Sequence, residues 1–162
     1  MKKTGYNIIQ FSLSKELQHG MMVSILAGEL ARKAGLSEEQ CHELSIAGLL
    51  HDIGKLEMAK YVYQKGQKPL TIEEIKYVRL HPTLGYAITS QNHYSDFIIK
   101  SILYHHENYD GSGFPSNLKE DEIPIGARIL RICDVFAALI SDRPYRRGFF
   151  MGKGGCHYDL KK

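Results

Sequence analysis

Apolar positions recur at helical spacing along most of the chain. Between Leu17 and Ala34 they fall at Met22, Ile25, Leu26 and Leu30 among small alanines, and Gly35 supplies a stop. Ser37, with Gln40 three residues on, forms a capping box. It predicts a helix running through Leu44, Ala47 and Leu50 to His51-Asp52, with Gly54 as a left-handed cap. A basic, tyrosine-bearing loop (60–70) follows, and Thr71 with Glu74 opens a helix expected to end near His81-Pro82. Further helices are predicted from Leu84 to Thr89 and from Asp96 to His106, the second carrying Phe97, Ile98, Ile102 and Leu103. Residues 107–124 are rich in turn formers and too polar for a core element. Pro124 suits the first turn of a last helix, Ile125 to about Ser141. Ile125, Ile129, Ile132, Cys133, Phe136 and Ile140 form its expected core stripe, with Asp134 off that stripe beside Ala127 and Ala138. Strand signals are absent, so the expected fold class is all-α.

Composition changes this picture little. With 162 residues, 43% hydrophobic and 24% charged, the chain reads as one soluble domain. No apolar run is long enough to span a membrane, and the N-terminus lacks the apolar stretch of a secretory signal. Cys41, Cys133 and Cys156 are odd in number and widely spaced, which argues against a disulfide framework and for a cytoplasmic setting. A net charge of +3 is too mild for a binder of polymeric nucleic acid and suits a small phosphate ligand.

The eight histidines matter more. His19, His51, Asp52, His81, His105, His106 and Asp134 fall at predicted helix ends or on one helix face, and imidazole with carboxylate is the donor set of borderline divalent metals. A bridging aspartate can hold two ions about 3.5–4 Å apart, the arrangement of two-metal phosphodiesterases. Each of these histidines alone reads as an ordinary core or surface residue. Their joint occurrence is what points to metal.

The segments 51-HDIGK-55, 81-HPTLGY-86, 105-HHENYDGSGFP-115 and 130-LRICDVFAALISDRPYR-146 resemble the HD-GYP phosphodiesterases, a branch of the HD superfamily. The resemblance runs from about Leu17 to Arg147 and implies a helical bundle of about five to seven helices. It implies hydrolysis of cyclic di-GMP to pGpG, with further hydrolysis to GMP in some members, by hydroxide activated between two metals. It also implies that His19, His51, Asp52 and Asp134 ligate one ion, and that Asp52 bridges to a second held by His81, His105 and His106. Iron or manganese is expected first, with zinc or nickel as alternatives. Lys55 matches the lysine near the scissile phosphate, so Lys55 and Asp52 are the catalytic candidates. Arg143 and Arg146 match a basic pair that contacts substrate or the signature loop, and Phe114 with Gly113 lies in that loop. As plain side chains, Lys55 would be a helix-end cation, the two arginines a solvated cluster, and Glu107 and Asp110 loop-ordering acceptors. His42, His93 and His157 match no motif and are expected at the surface.

Four departures from the family pattern bear on function. Phe114 replaces the signature tyrosine, keeping a ring that can stack on guanine and losing a hydroxyl. Ala137 stands where many members carry a second aspartate. Lys15 occupies the place of a third-metal glutamate, and Glu16 next door points about 100° away on a helix, which favours two metals. The domain, 1–147, passes into 148–162, an irregular and shortened tail, so a homodimer mate or regulatory protein is the expected cover for that end. The alternatives are an HD phosphohydrolase acting on another nucleotide, or a degenerate module that binds metal or dinucleotide and signals through protein contacts. The DGSGFP loop argues against the first, and retention of all seven ligands argues against the second.

Overall fold

The computed structural model describes the backbone of residues 4–62, 76–141, 150–152 and 155–157, and side chains within 13–58 and 76–141. Six α-helices are bounded as follows: α1 (Thr4–Lys33), α2 (Glu38–Leu50), α3 (Gly54–Val62), α4 (His81–Gln91), α5 (Asp96–Tyr104) and α6 (Ile125–Ile140); residues 76–78, just before α4, are helical as well. The fold is all-α in architecture, as expected. One addition is a two-stranded antiparallel hairpin in the tail, β1 (Phe150–Gly152) with β2 (Gly155–His157), Met151 opposite Cys156.

Several boundaries differ from expectation for identifiable reasons. Helix α1 begins well before Leu17, because neither proline nor glycine interrupts the chain between Asn7 and His19. The Ser37 box forms as read: Ser37 Oγ accepts the Gln40 N–H and Gln40 Oε1 accepts the Ser37 N–H, both at 3.2 Å. Gly54 does not cap α2; it opens α3. A Cβ there would sit 2.1 Å from the carbonyl oxygen of His81, so glycine is needed for α3 to pass close to the start of α4. A helical stretch described at 76–78 ends just before His81, near where a helix end was expected, and His81-Pro82 opens the next helix, since proline fits the first turn, where its missing N–H has no partner to lose. The Thr71–Glu74 box lies outside the described residues.

Helix α1 packs on α2 and α6, α2 on α5, α4 on α3 and α5, and α5 on α6. Small residues bring α1 and α2 together: a Cβ at Gly48 would lie 2.8 Å from the Ser24 Cα. The shared core contains Val23, Ala27, Ala31, Leu44, Ala47, Ile98, Ile102, Ile129, Leu130, Cys133 and Ala137. The buried face of α6 coincides with the expected stripe only at Ile129 and Cys133. Gly126, Ala127, Ile129, Leu130, Cys133 and Ala137 turn inward, whereas Ile132 is 60% exposed and Ile125 also faces outward. This helix is apolar around most of its circumference, so periodicity alone leaves its rotation open. The small residues beside Asp134 mark the face that packs closely.

Candidate metal centre

Three histidines stand at helix ends with the same local bond. His51 caps the C-terminus of α2, His105 caps that of α5, and His81 is the first residue of α4. In each, Nδ1 lies against the carbonyl three residues back: Gly48 at 2.8 Å, Ile102 at 2.7 Å and Val78 at 2.7 Å. A carbonyl only accepts, so Nδ1 donates and Nε2 is the nitrogen turned inward, offering a lone pair whenever the ring is neutral. All three rings are buried.

Those nitrogens converge with the other expected ligands. Ligand atoms of Asp52, His81, His105 and His106 lie within 4.8 Å of one another, as do those of His19, His51 and Asp134. All seven residues expected as ligands therefore come together. Asp52 touches both groups, with Oδ2 3.2 Å from His51 Nε2 and Oδ1 3.2 Å from His81 Nε2. His19 Nε2 bonds Asp134 Oδ1 at 3.0 Å, joining α1 to α6. His51 Nε2 and Asp52 Oδ1 are buried without a hydrogen-bond partner. Buried polar atoms without hydrogen bonds are costly in a dry interior, and a cation among these donors would satisfy them. The donor set and these orphaned atoms fit divalent ions of the borderline kind.

The electrostatics agree. Burial pushes the His105 pKa well below that of a free imidazole, and the rings of His106 and His51 add to the shift. His106 falls to about 3 through burial and its neighbours His81 and Arg131. Both are neutral donors at ordinary pH. Burial alone would raise the Asp52 carboxyl; His51 and Lys55 overcome that and hold it well below the usual range. Asp134 is lowered too, burial being outweighed by the His19 hydrogen bond and His51.

Lys55 Nζ sits 2.5 Å from Asp52 Oδ2 and 3.7 Å from Glu16 Oε2. Glu16 therefore faces the cluster, contrary to the expectation that it points away, while Lys15 is exposed. The register of α1 explains this, because Glu16 lies one turn before His19, at the same helical face.

The signature loop is ordered by the acceptors assigned to it. Glu107 Oε1 accepts the Ser116 N–H at 2.6 Å, and Asp110 Oδ1 accepts the Ser112 N–H at 2.9 Å. Gly113 lets the loop fold on itself, since a Cβ would meet the Asn108 nitrogen at 2.3 Å. The Phe114 ring stacks on His106, with centroids 4.8 Å apart, and lies beneath the Arg79 guanidinium. Arg131 donates toward His106 Nδ1 at 3.1 Å and to Asn108 Oδ1 at 3.0 Å. Sequence reasoning missed Arg79 and Arg131. The only available signal for Arg131 was its place three residues before Asp134.

Residues 3–153 match the model of the family described as HD domain. The chain belongs to that family. Its HD dipeptide is His51-Asp52, and the resemblance to the HD-GYP branch holds. The chain is 41% identical over 131 residues to cyclic di-GMP phosphodiesterase response regulator RpfG of Xanthomonas campestris, covering 80% of this chain and 34% of that protein. It is 34% identical over 140 residues to 3'3'-cGAMP-specific phosphodiesterase 1 of Vibrio cholerae, covering 86% and 32%. Among solved structures it resembles Bd1817, a HDG"Y"P protein of Bdellovibrio bacteriovorus, with TM-score 0.64 and 25% identity over 78% of this chain and 41% of that one. The HD domain thus spans about a third of the length of these curated relatives.

Other sequence candidates fall elsewhere. Arg143, Arg146 and the side chain of His157 lie outside the described residues. His42 and His93 are exposed, as expected. Ala137 is fully buried in the core of this HD domain, where an aspartate would need a partner of its own. No helix among the described residues is long and apolar enough to cross a membrane.

Proposed function

We propose that this HD domain is a two-metal phosphodiesterase that opens cyclic di-GMP to pGpG. The observation that carries the reading is Asp52, whose two oxygens face His51 on one side and His81 on the other, with Oδ1 buried and lacking a hydrogen bond. His19, His51, Asp134 and Asp52 would hold one ion, and Asp52, His81, His105 and His106 the other. Two such ions would supply an acidified water for in-line attack and would neutralise charge on the phosphate. The chain's own residues do the rest. Bonds to backbone carbonyls hold His51, His81 and His105 with Nε2 turned inward. Lys55, a cation at the edge of the cluster, turns from Asp52 to the phosphate and stabilises its developing charge. Arg143 and Arg146 are assigned to substrate phosphate from their motif positions alone. Iron or manganese is the favoured pair, and a cytoplasmic setting fits the cysteine usage.

Relatives named for cyclic di-GMP and for cGAMP support a cyclic dinucleotide. The test is hydrolysis of both dinucleotides by anaerobically prepared, metal-loaded protein, with products separated by chromatography. Turnover of cyclic di-GMP to pGpG is expected. A second reading, a module that binds metal or dinucleotide without turnover, is favoured by Phe114, whose ring is engaged by His106 and Arg79, and by Ala137. Full metal loading without hydrolysis of either substrate would establish that second reading.

A further inference from the structure

His106 is held unlike the other buried histidines of the cluster. His51, His81 and His105 each donate Nδ1–H to a carbonyl on their own segment. His106 Nδ1 instead faces Nη1 of Arg131 at 3.1 Å. A guanidinium has five donors and no acceptor, so Nδ1 must accept and the ring proton sits on Nε2. Nε2 lies 3.2 Å from His81 Nε2, to which it can donate. In this arrangement His106 presents a hydrogen to the cluster where its neighbours present lone pairs. Were Nδ1 to carry the proton, two N–H groups would point at each other across 3.1 Å.

We propose that Arg131 is a gate on the second metal site: its guanidinium holds His106 in the tautomer that cannot coordinate, and must part from the ring before that ion is fully ligated. The inference rests on the two-ion reading above and makes Arg131 a positioning residue. Its charge also repels a divalent ion at short range. Asn108 Oδ1, 3.0 Å from Nη2, gives the guanidinium a second anchor in the signature loop, so release of His106 need not expel the side chain. Ion entry at the second site is thereby coupled to the loop, whereas the first site, built from His19, His51 and Asp134, has no contact with Arg131 among the bonds described.

The test compares manganese binding by calorimetry in the parent chain, Arg131→Gln and Arg131→Lys. Glutamine offers an oxygen that accepts from Nδ1–H and carries no charge, so R131Q should bind the second ion at least about tenfold more tightly, the scale of losing one charge-assisted hydrogen bond. First-ion affinity should not change. Lysine keeps a donor and a charge, so R131K should behave like the parent. Imidazole nitrogen shifts of the metal-free proteins should show the His106 proton on Nε2 in the parent and on Nδ1 in R131Q. Equal affinity for two ions in parent and R131Q, or a parent His106 protonated on Nδ1, would overturn the gate alone. A single ion in both proteins under all loadings would remove the second site and the gate together.

Discussion

The candidate ligands of the centre are held in two ways. His51, His81 and His105 take their orientation from carbonyls one turn back on their own segments. His19 and Asp134 orient each other across two helices, and His106 is fixed by Arg131 and by the Phe114 ring, both distant in sequence. The first kind is complete once its helix forms. The second depends on the packing of α1, α6 and the signature loop. The centre thus has a rigid spine of three imidazoles and an adjustable rim, and mutations should divide along the same line. Asp52 stands where spine meets both metal groups.

The largest effect is expected for Asp52→Ala. Removing the carboxylate that reaches both groups should lose both ions and reduce hydrolysis to background, whereas His105→Ala should lose mainly one. Elemental analysis distinguishes them, and a full ion retained in D52A would show that the two groups are independent. Next comes Lys55→Ala, which lies outside the ligand set. Metal content should hold while turnover falls by about 10²–10³, the usual cost of deleting one charge-stabilising group. Unchanged turnover would leave Lys55 as only a counter-charge to Asp52.

Acidity should act on the spine and rim together. His105 and His106 are neutral when folded, with pKa values depressed from 6.5, so below about pH 6.5 the unfolded chain binds more protons. Stability of the metal-free protein should therefore fall as pH drops from about 6.5 toward about 3, the folded value of His106. Asp52 and Asp134, also held low, add to the loss below about pH 4. His51 opposes it, because Asp52 and Asp134 raise its pKa against burial and its contribution is lost as pH rises. Two depressed imidazoles outweigh one raised. Denaturant midpoints at pH 7 and pH 5 check this, and a higher midpoint at pH 5 would contradict it. The smallest effect is expected for Phe114→Tyr. The ring keeps its place on His106 and gains one hydroxyl, worth about 0.5–1.5 kcal/mol, so activity on cyclic di-GMP should rise two- to tenfold with metal content unchanged.

The same division explains what could be read from sequence. The Ser37 capping box was legible because a cap is local, and the seven candidate ligands, read from family motifs, do come together in space. The rotation of α6 was not, since a helix apolar on most sides gives no phase; Ile132 was expected inside and is exposed. Gly54 looked like a cap because its close approach to His81 involves a segment far along the chain. Glu16 was assigned away from the site by comparison with position 15, although its spacing from His19 places it inward. Arg131 escaped notice for the same reason as the rim in general: its meaning lies in a contact with His106, 25 residues away.

The central claim is that one carboxylate, Asp52, ties two metal sites together. Its most direct test is metal content per folded chain, measured side by side in the anaerobically purified parent and in Asp52→Ala. Two ions in the parent and none in the variant are expected. One ion or none in a well-folded parent would contradict the account.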